Sequence, residues 1–157
     1  LPIYGISFKD IMPVLANPEL FSEVVRSFSD MASIRDCEAI VGIDARGFIL
    51  ASAIALHSGK PLLVARKPGK LPGVLMSKVY DLEYGQAELA MQTDQIARFN
   101  SFAIVDDLLA TGGTANAVVQ MIQDVNKSVL GVCVMVELSG LGGVGRVDAP
   151  VESILKY

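Results

Sequence analysis

Between Phe102 and Ala117 the chain reads FAIVDDLLATGGTANA: four apolar residues, two adjacent carboxylates, then a Thr/Gly-rich turn that opens a helical pattern. A continuous apolar run this short, bounded by a turn, suits a buried strand, and Asp106 and Asp107 are expected where that strand ends and its loop begins. In an open α/β sheet, ligands bind at that place.

The turn adds a second chemistry. Thr111, Gly112, Gly113 and Thr114 combine hydroxyls with backbone that can approach a ligand closely, just before a helix N-terminus. Free N–H groups and the positive end of the helix dipole make a phosphate cradle there. No lysine follows the glycines, so this is neither the G-x-x-x-x-G-K-S/T loop of nucleoside triphosphatases nor a G-x-G-x-x-G turn. Two carboxylates are poor company for an anion but good acceptors for hydroxyls, or ligands for Mg²⁺. A sugar phosphate satisfies both halves. The competing reading is an ordinary strand-to-helix turn whose Asp residues cap the helix.

At 157 residues the chain has the length of one domain, and 52% apolar against 19% charged residues allows a sizeable core. Its apolar stretches fall well short of the roughly 18 residues that a bilayer span needs. No basic-then-apolar leader pattern opens it, and the expectation is a soluble, cytoplasmic protein. The net charge is −4 and the 13 basic residues form no long run, which argues against a nucleic-acid surface. Cys37 and Cys133 lie beside or within apolar runs without metal spacing and read as reduced thiols. His57, the one histidine, closes a helical pattern before Ser58-Gly59 and reads as structural.

In chain order, Leu1 to Pro13 is Gly/Pro-punctuated loop. Asn17-Pro18-Glu19 is a helix start, with Leu20, Val24, Phe28 and Met31 keeping helical spacing to about Ser33. Ala39 to Ile43 reads as a short buried strand. Asp44-Ala45-Arg46-Gly47 then turns into a helix over Phe48 to His57, a second strand–loop–helix unit with a charged loop. Pro61 to Ala65 is another strand, ending in the densest basic cluster, Arg66-Lys67-Pro68-Gly69-Lys70. Leu71 to Lys78 lacks clean periodicity and is expected to be a mobile loop. Tyr80 to Tyr84 and Ala87 to Gln92 alternate around Gly85-Gln86 as an antiparallel hairpin. After the Thr/Gly turn, Ala117 to Val125 is an amphipathic helix ended by Asn126-Lys127. Ser128 to Leu138 is a long strand, Gly140 to Gly143 breaks the pattern, and Val151 to Leu155 is a last edge strand. Strands alternating with helices predict an α/β fold with a mostly parallel sheet covered on both faces.

The acidic pair followed by A-T-G-G-T resembles the signature of the type I phosphoribosyltransferases. Four further blocks narrow the resemblance to the adenine phosphoribosyltransferase family, in its order: G-I-S-F-K-D-I at 5–11, A-R-G-F at 45–48, R-K-P-G-K-L-P-G at 66–73 and L-E-Y-G at 82–85. The resemblance covers nearly the whole chain. It implies a type I phosphoribosyltransferase fold over residues 1–157, with a small base-binding hood at 1–13 and a flexible catalytic loop at 67–79 that, with the hairpin, lies over the active site.

The implied reaction converts adenine and phosphoribosyl pyrophosphate to AMP and pyrophosphate with Mg²⁺, in a cytoplasmic homodimer that needs neither nucleic acid nor membrane. Carried over residue by residue, Asp106 and Asp107 serve the ribose and Ala110, Thr111, Gly112, Gly113 and Thr114 the 5′-phosphate. Asp44, Ala45, Arg46 and Gly47, with Arg66, Lys67 and Lys70, serve the pyrophosphate. Ser7, Phe8, Lys9 and Leu138 would hold the base, with Phe8 stacking on it. Glu83, Lys70 and Arg66 are the catalytic candidates, Glu83 as acid/base near the purine, and any metal is held through the substrate, with Asp106 and Asp107 as candidate ligands. Lys9 departs from the Arg common in relatives, and Tyr4 from the usual Pro. Lys cannot make the forked contacts of a guanidinium, which leaves backbone contacts from Ser7 and Lys9. Two other readings stay open: the same fold acting on another base (hypoxanthine, guanine, xanthine or a pyrimidine), and a non-catalytic nucleotide sensor.

Overall fold

A computed structural model describes residues 10–82 and 84–157. Its order follows from how apolar side chains alternate across strands. After three short N-terminal helices, α1 (Met12–Leu15), α2 (Pro18–Ser29) and α3 (Ala32–Asp36), come β1 (Ala39–Ile43), α4 (Arg46–Ser58), β2 (Leu62–Ala65), β3 (Leu75–Asp81) and β4 (Gln86–Gln92). α5 (Thr93–Ala97), β5 (Ser101–Leu109), α6 (Gly113–Asp124), β6 (Ser128–Glu137) and β7 (Val151–Lys156) complete the chain, with two 3-10 turns between β6 and β7. The main sheet is parallel throughout, in the order β2-β1-β5-β6-β7, and β3-β4 is a separate antiparallel hairpin.

β5 lies at the centre, and Phe102, Ala103, Ile104 and Val105 are fully buried. Because successive side chains point to opposite faces, Phe102 and Ile104 pack with Val118, Val119 and Ile122 of α6 and with Leu89 and Met91 of the hairpin. Ala103 and Val105 pack on the other face with Phe28 of α2 and with Leu50 and Ile54 of α4. The helix after β1 thus covers one face and the helix after β5 the other. β1 and β5 are neighbours whose connections leave in opposite directions, the switch point at which a doubly wound sheet opens a crevice at its carboxyl ends.

The expected α/β architecture is what the chain forms, and β1, the β7 edge and the Asn17 cap, whose side chain accepts from Leu20 N at 3.1 Å, stand as read. The short helices α1 and α5 are not signalled by the residue pattern, α6 begins at Gly113 rather than Ala117, and three further boundaries differ for reasons that lie in tertiary contacts. α2 ends at Ser29 rather than near Ser33, because the Glu152 carboxylate of β7 accepts from the N–H groups of Ala32 and Ser33 at 3.2 and 3.1 Å, and from the Ser33 hydroxyl, and so starts α3. β3 begins at Leu75, inside the segment read as loop, because β4 supplies a full ladder from Leu75↔Gln92 to Asp81↔Gln86 and Met76 packs against the core. β5 continues past both carboxylates to Leu109 rather than ending at Asp106-Asp107. Cys37 and Cys133 are free and buried, and exposed His57 sits in the last turn of α4, closed by Gly59 at φ 69°. Among the described residues no helix is long and apolar enough to cross a membrane.

Glu152→Ala strips two backbone donors and a hydroxyl of their acceptor in a partly buried site, a loss of about 1–3 kcal/mol. Thermal unfolding is expected to show a midpoint several degrees below wild type, with steady-state kinetics unchanged because α3 does not border the cleft described next.

Candidate active site

The carboxyl ends of β1 and β5 bring two loops together over one cleft. At β1, Asp44 is 7% exposed at its side chain; its Oδ2 accepts from Lys67 N at 3.3 Å and lies 3.5 Å from Arg66 Nε. The Arg66 guanidinium also sits 5.5 Å from the centre of the Phe48 ring, so α4 and the start of the basic segment are held to one another. Arg46 opens α4 and reaches across to β5, where its Nε is 2.8 Å from Asp107 Oδ2. Gly47 is required between them: a Cβ there would stand 2.9 Å from Val105 O and 3.0 Å from Asp106 Oδ1. The Asp44–Ala45 peptide is cis.

Asp106 and Asp107 are adjacent on β5 and line the same cleft, but they live in different fields. Asp107 is nearly buried and charge-compensated by Arg46. Asp106 takes a hydrogen bond from Asp107 N at 2.8 Å, but burial, with the adjacent Asp107 carboxylate second, holds its carboxyl well above the ordinary range.

The third wall is the turn from β5 into α6. Gly112 has φ 85°, a left-handed conformation natural to glycine, and a Cβ on it would come within 2.6 Å of Gly143 O. The Gly143 backbone therefore braces the turn from behind. Gly112 is the N-cap of α6 and has no side chain to offer, and the first helical bond is Asn116 N to Gly112 O. The N–H groups of Gly113, Thr114 and Ala115 thus come before the helical ladder begins, at the positive end of a 12-residue helix. The cleft, about 260 Å³, is lined by Asp44, Ala45, Arg46, Asp106, Asp107 and the 110–115 turn, with Tyr80, Leu108, Leu109 and Val134.

A family profile described as the phosphoribosyl transferase domain matches residues 14–156. An adenine phosphoribosyltransferase of Prochlorococcus marinus is 50% identical over 154 residues, 98% of this chain and 91% of its own. The Streptomyces coelicolor enzyme is 40% identical over 98% of this chain and 87% of its own. The chain belongs to the adenine phosphoribosyltransferase family. Solved members superpose closely on it: that of Thermoanaerobacter pseudethanolicus at TM-score 0.89 and 34% identity, covering 99% of this chain and 91% of its own. The Saccharomyces cerevisiae member, solved with an imino-altritol bisphosphate and adenine, has TM-score 0.82 and 31% identity over 99% and 90%.

Of the residues that the adenine phosphoribosyltransferase resemblance singled out, Asp44, Ala45, Arg46, Asp106, Asp107 and Ala110 to Thr114 line one cleft. Gly47 is buried behind it as a spacer. Arg66 and Lys67 stand beside it through Asp44, Lys70 is exposed, and Leu138 begins the segment after β6, its N–H bonded to Leu109 O at 2.9 Å. Ser7, Phe8, Lys9 and Glu83 lie outside the described residues. Two features were not readable in advance. Arg46 and Asp107, read toward opposite ends of a substrate, pair with each other. Tyr80, which alternation placed only in a strand, lines the cleft.

Because the folded chain raises the Asp106 pKa above the ordinary 3.8, ionising Asp106 opposes folding. That penalty is absent below the unfolded value, grows as pH rises through it and is complete above the folded value. Asp106→Asn is therefore expected to be more stable than wild type in urea unfolding at pH 7.5, with the advantage shrinking as pH falls toward 4. An advantage independent of pH would contradict this reading of Asp106.

Proposed function

We propose that the chain catalyses displacement of pyrophosphate from C1 of phosphoribosyl pyrophosphate by a ring nitrogen of adenine, giving AMP. The observation that carries the reading is the pair Asp106-Asp107 set directly beside the uncapped start of α6, since hydroxyl acceptors next to a phosphate cradle fit a sugar phosphate. In this reading Asp106 and Asp107 hold the ribose hydroxyls, and the N–H groups and hydroxyls of 110–114 hold the 5′-phosphate. Arg46, Arg66, Lys67 and Lys70 face the pyrophosphate, with Asp44 fixing Arg66 and the Lys67 backbone in place. Ser7, Phe8, Lys9 and Leu138 take the base, and Glu83 handles its proton.

The transition state is cation-like at the sugar and increasingly anionic at the departing pyrophosphate. Arg46 reaches that anion by leaving Asp107, which frees a carboxylate for the ribose as the leaving-group site fills. Groups held in place for developing charge contribute more than groups that serve the ground state. Residues 67–74, between the Arg66 bridge to Ala90 and the start of β3, carry Lys70 and would close over the reacting centre to exclude water.

Among the described residues no cluster of three His, Cys, Asp or Glu side chains could hold a metal. Two carboxylates, one already paired with Arg46, suit Mg²⁺ carried in on substrate phosphates, with Asp106 and Asp107 as its protein ligands. When bound it would offset charge on the leaving pyrophosphate. We take the enzyme to be cytoplasmic and homodimeric; exposed Ile49 and Leu56 on the outer side of α4 would suit cover by a second copy.

Turnover of adenine, hypoxanthine and guanine with phosphoribosyl pyrophosphate and Mg²⁺ tests the function. Adenine is expected to lead in kcat/KM by about 100-fold or more, because a 6-oxo group presents an acceptor where the site was built for a donor, and chelating Mg²⁺ should abolish the reaction. Comparable rates for a 6-oxopurine would assign the fold to another base, and no turnover with any base would favour the sensor.

A further inference from the structure

Among the described residues, the phosphate end of the cleft has no Lys or Arg of its own. Arg46 is the sole Lys or Arg among the described residues that line the cleft, and it is committed to Asp107 at 2.8 Å. A phosphate held at the start of α6 must therefore rest on neutral donors: the N–H groups of Gly113, Thr114 and Ala115 and the hydroxyls of Thr111 and Thr114. With only neutral donors available, each further one that reaches the site counts.

Tyr80 is such a donor, and it comes from outside both βα loops. It stands on β3, opposite Ala87 of β4, and lines the same cleft as Thr111 to Ala115. Its Cδ2 is 3.9 Å from the point where a Cβ on Gly113 would stand, and the carbonyl oxygen of Asp81 is 3.4 Å from that point, so the hairpin rests against the first residue of α6. The Asp81 carboxylate, which would repel a phosphate, is engaged by Gln86 Nε2 at 3.2 Å. The half-buried Tyr80 ring is packed on the core that α6 shares with β5, and its hydroxyl makes no hydrogen bond to another described residue. A second tie, Lys78 Nζ to Asp124 Oδ2 at 3.3 Å, holds the same strand along α6.

A packed phenol ring that lines this cleft, with a hydroxyl bonded to no other described residue, is placed to bind, since buried or half-buried Tyr hydroxyls ordinarily find a partner. We propose that Tyr80 donates a hydrogen bond to the 5′-phosphate of the substrate and product, which makes the β3-β4 hairpin part of the phosphate subsite as well as a cover for the reacting centre. The inference rests on the functional reading above and adds a residue to its phosphate site. A consequence is that filling the 5′-phosphate site steadies the strand that follows the Lys70 segment.

The test is calorimetric titration of wild type and Tyr80→Phe with AMP and, separately, with pyrophosphate, together with phosphorus NMR of AMP at saturation. Phe keeps the ring packing, so the thermal midpoint is expected to stay within a degree or two of wild type. AMP affinity should fall about tenfold or more, the size expected for losing a hydrogen bond to a charged group, while pyrophosphate affinity changes less than twofold. The resonance of the bound 5′-phosphate should also move. Equal AMP affinity with an unmoved phosphate resonance would overturn the inference while leaving the functional reading intact, and so would a parallel loss for AMP and pyrophosphate. A wild-type chain that bound no AMP would overturn the functional reading and this inference with it.

Discussion

The ion pair between Arg46 and Asp107 is the contact on which the rest of the site depends. β5 is buried on both faces from Phe102 to Val105, and an ionised carboxylate continuing such a strand is costly unless it is paired. Arg46 supplies the pair from the first turn of α4, and Gly47 lets that helix approach β5 closely enough to do so. With Asp107 compensated, the strand can run on to Leu109 and deliver the backbone directly into the turn that starts α6. The same arrangement leaves Asp106 without a cation of its own, and burial, with the adjacent Asp107 carboxylate second, holds its proton more tightly.

Seen this way, the cleft stores charge in an internally neutralised form. Arg46 and Arg66 face Asp107 and Asp44 across 2.8 and 3.5 Å, so both arginines proposed for the leaving-group side have a carboxylate to rest on. In the proposed reaction, exchanging Asp107 for pyrophosphate oxygens would trade one charge-assisted contact of Arg46 for another and release an acceptor for the sugar. Both arginines are thus paired, and of the two β5 carboxylates only Asp106 is left without a cation of its own.

Much of this was legible in the chain itself, and the parts that were not share a cause. β1 and the core of β5 announce themselves as short apolar runs, α2 by Asn17-Pro18, and the two ligand loops by charge and glycine at strand ends. α3 was not visible because the acceptor that starts it, Glu152, lies 119 residues along the chain from Ser33. The early start of β3 depends on a ladder with β4 that overrides an irregular apolar pattern. Arg46 and Asp107 each carried a plausible ligand role, and nothing in their local sequence announces that they meet. Tyr80 reads as one more alternating strand residue until the hairpin is laid against α6. Local signals thus placed the loops, and tertiary contacts decided which side chains share a space.

The most direct measurement is a crystal structure of the chain with AMP bound. The 5′-phosphate is expected against the N–H groups of Gly113, Thr114 and Ala115, with the ribose hydroxyls on Asp106 and Asp107 and Arg46 turned away from Asp107. A phosphate seated instead beside Arg66 and Lys67, with the ribose clear of the carboxylate pair and the Arg46–Asp107 contact intact, would contradict the central claim that the end of β5 and the start of α6 together form a sugar-phosphate site.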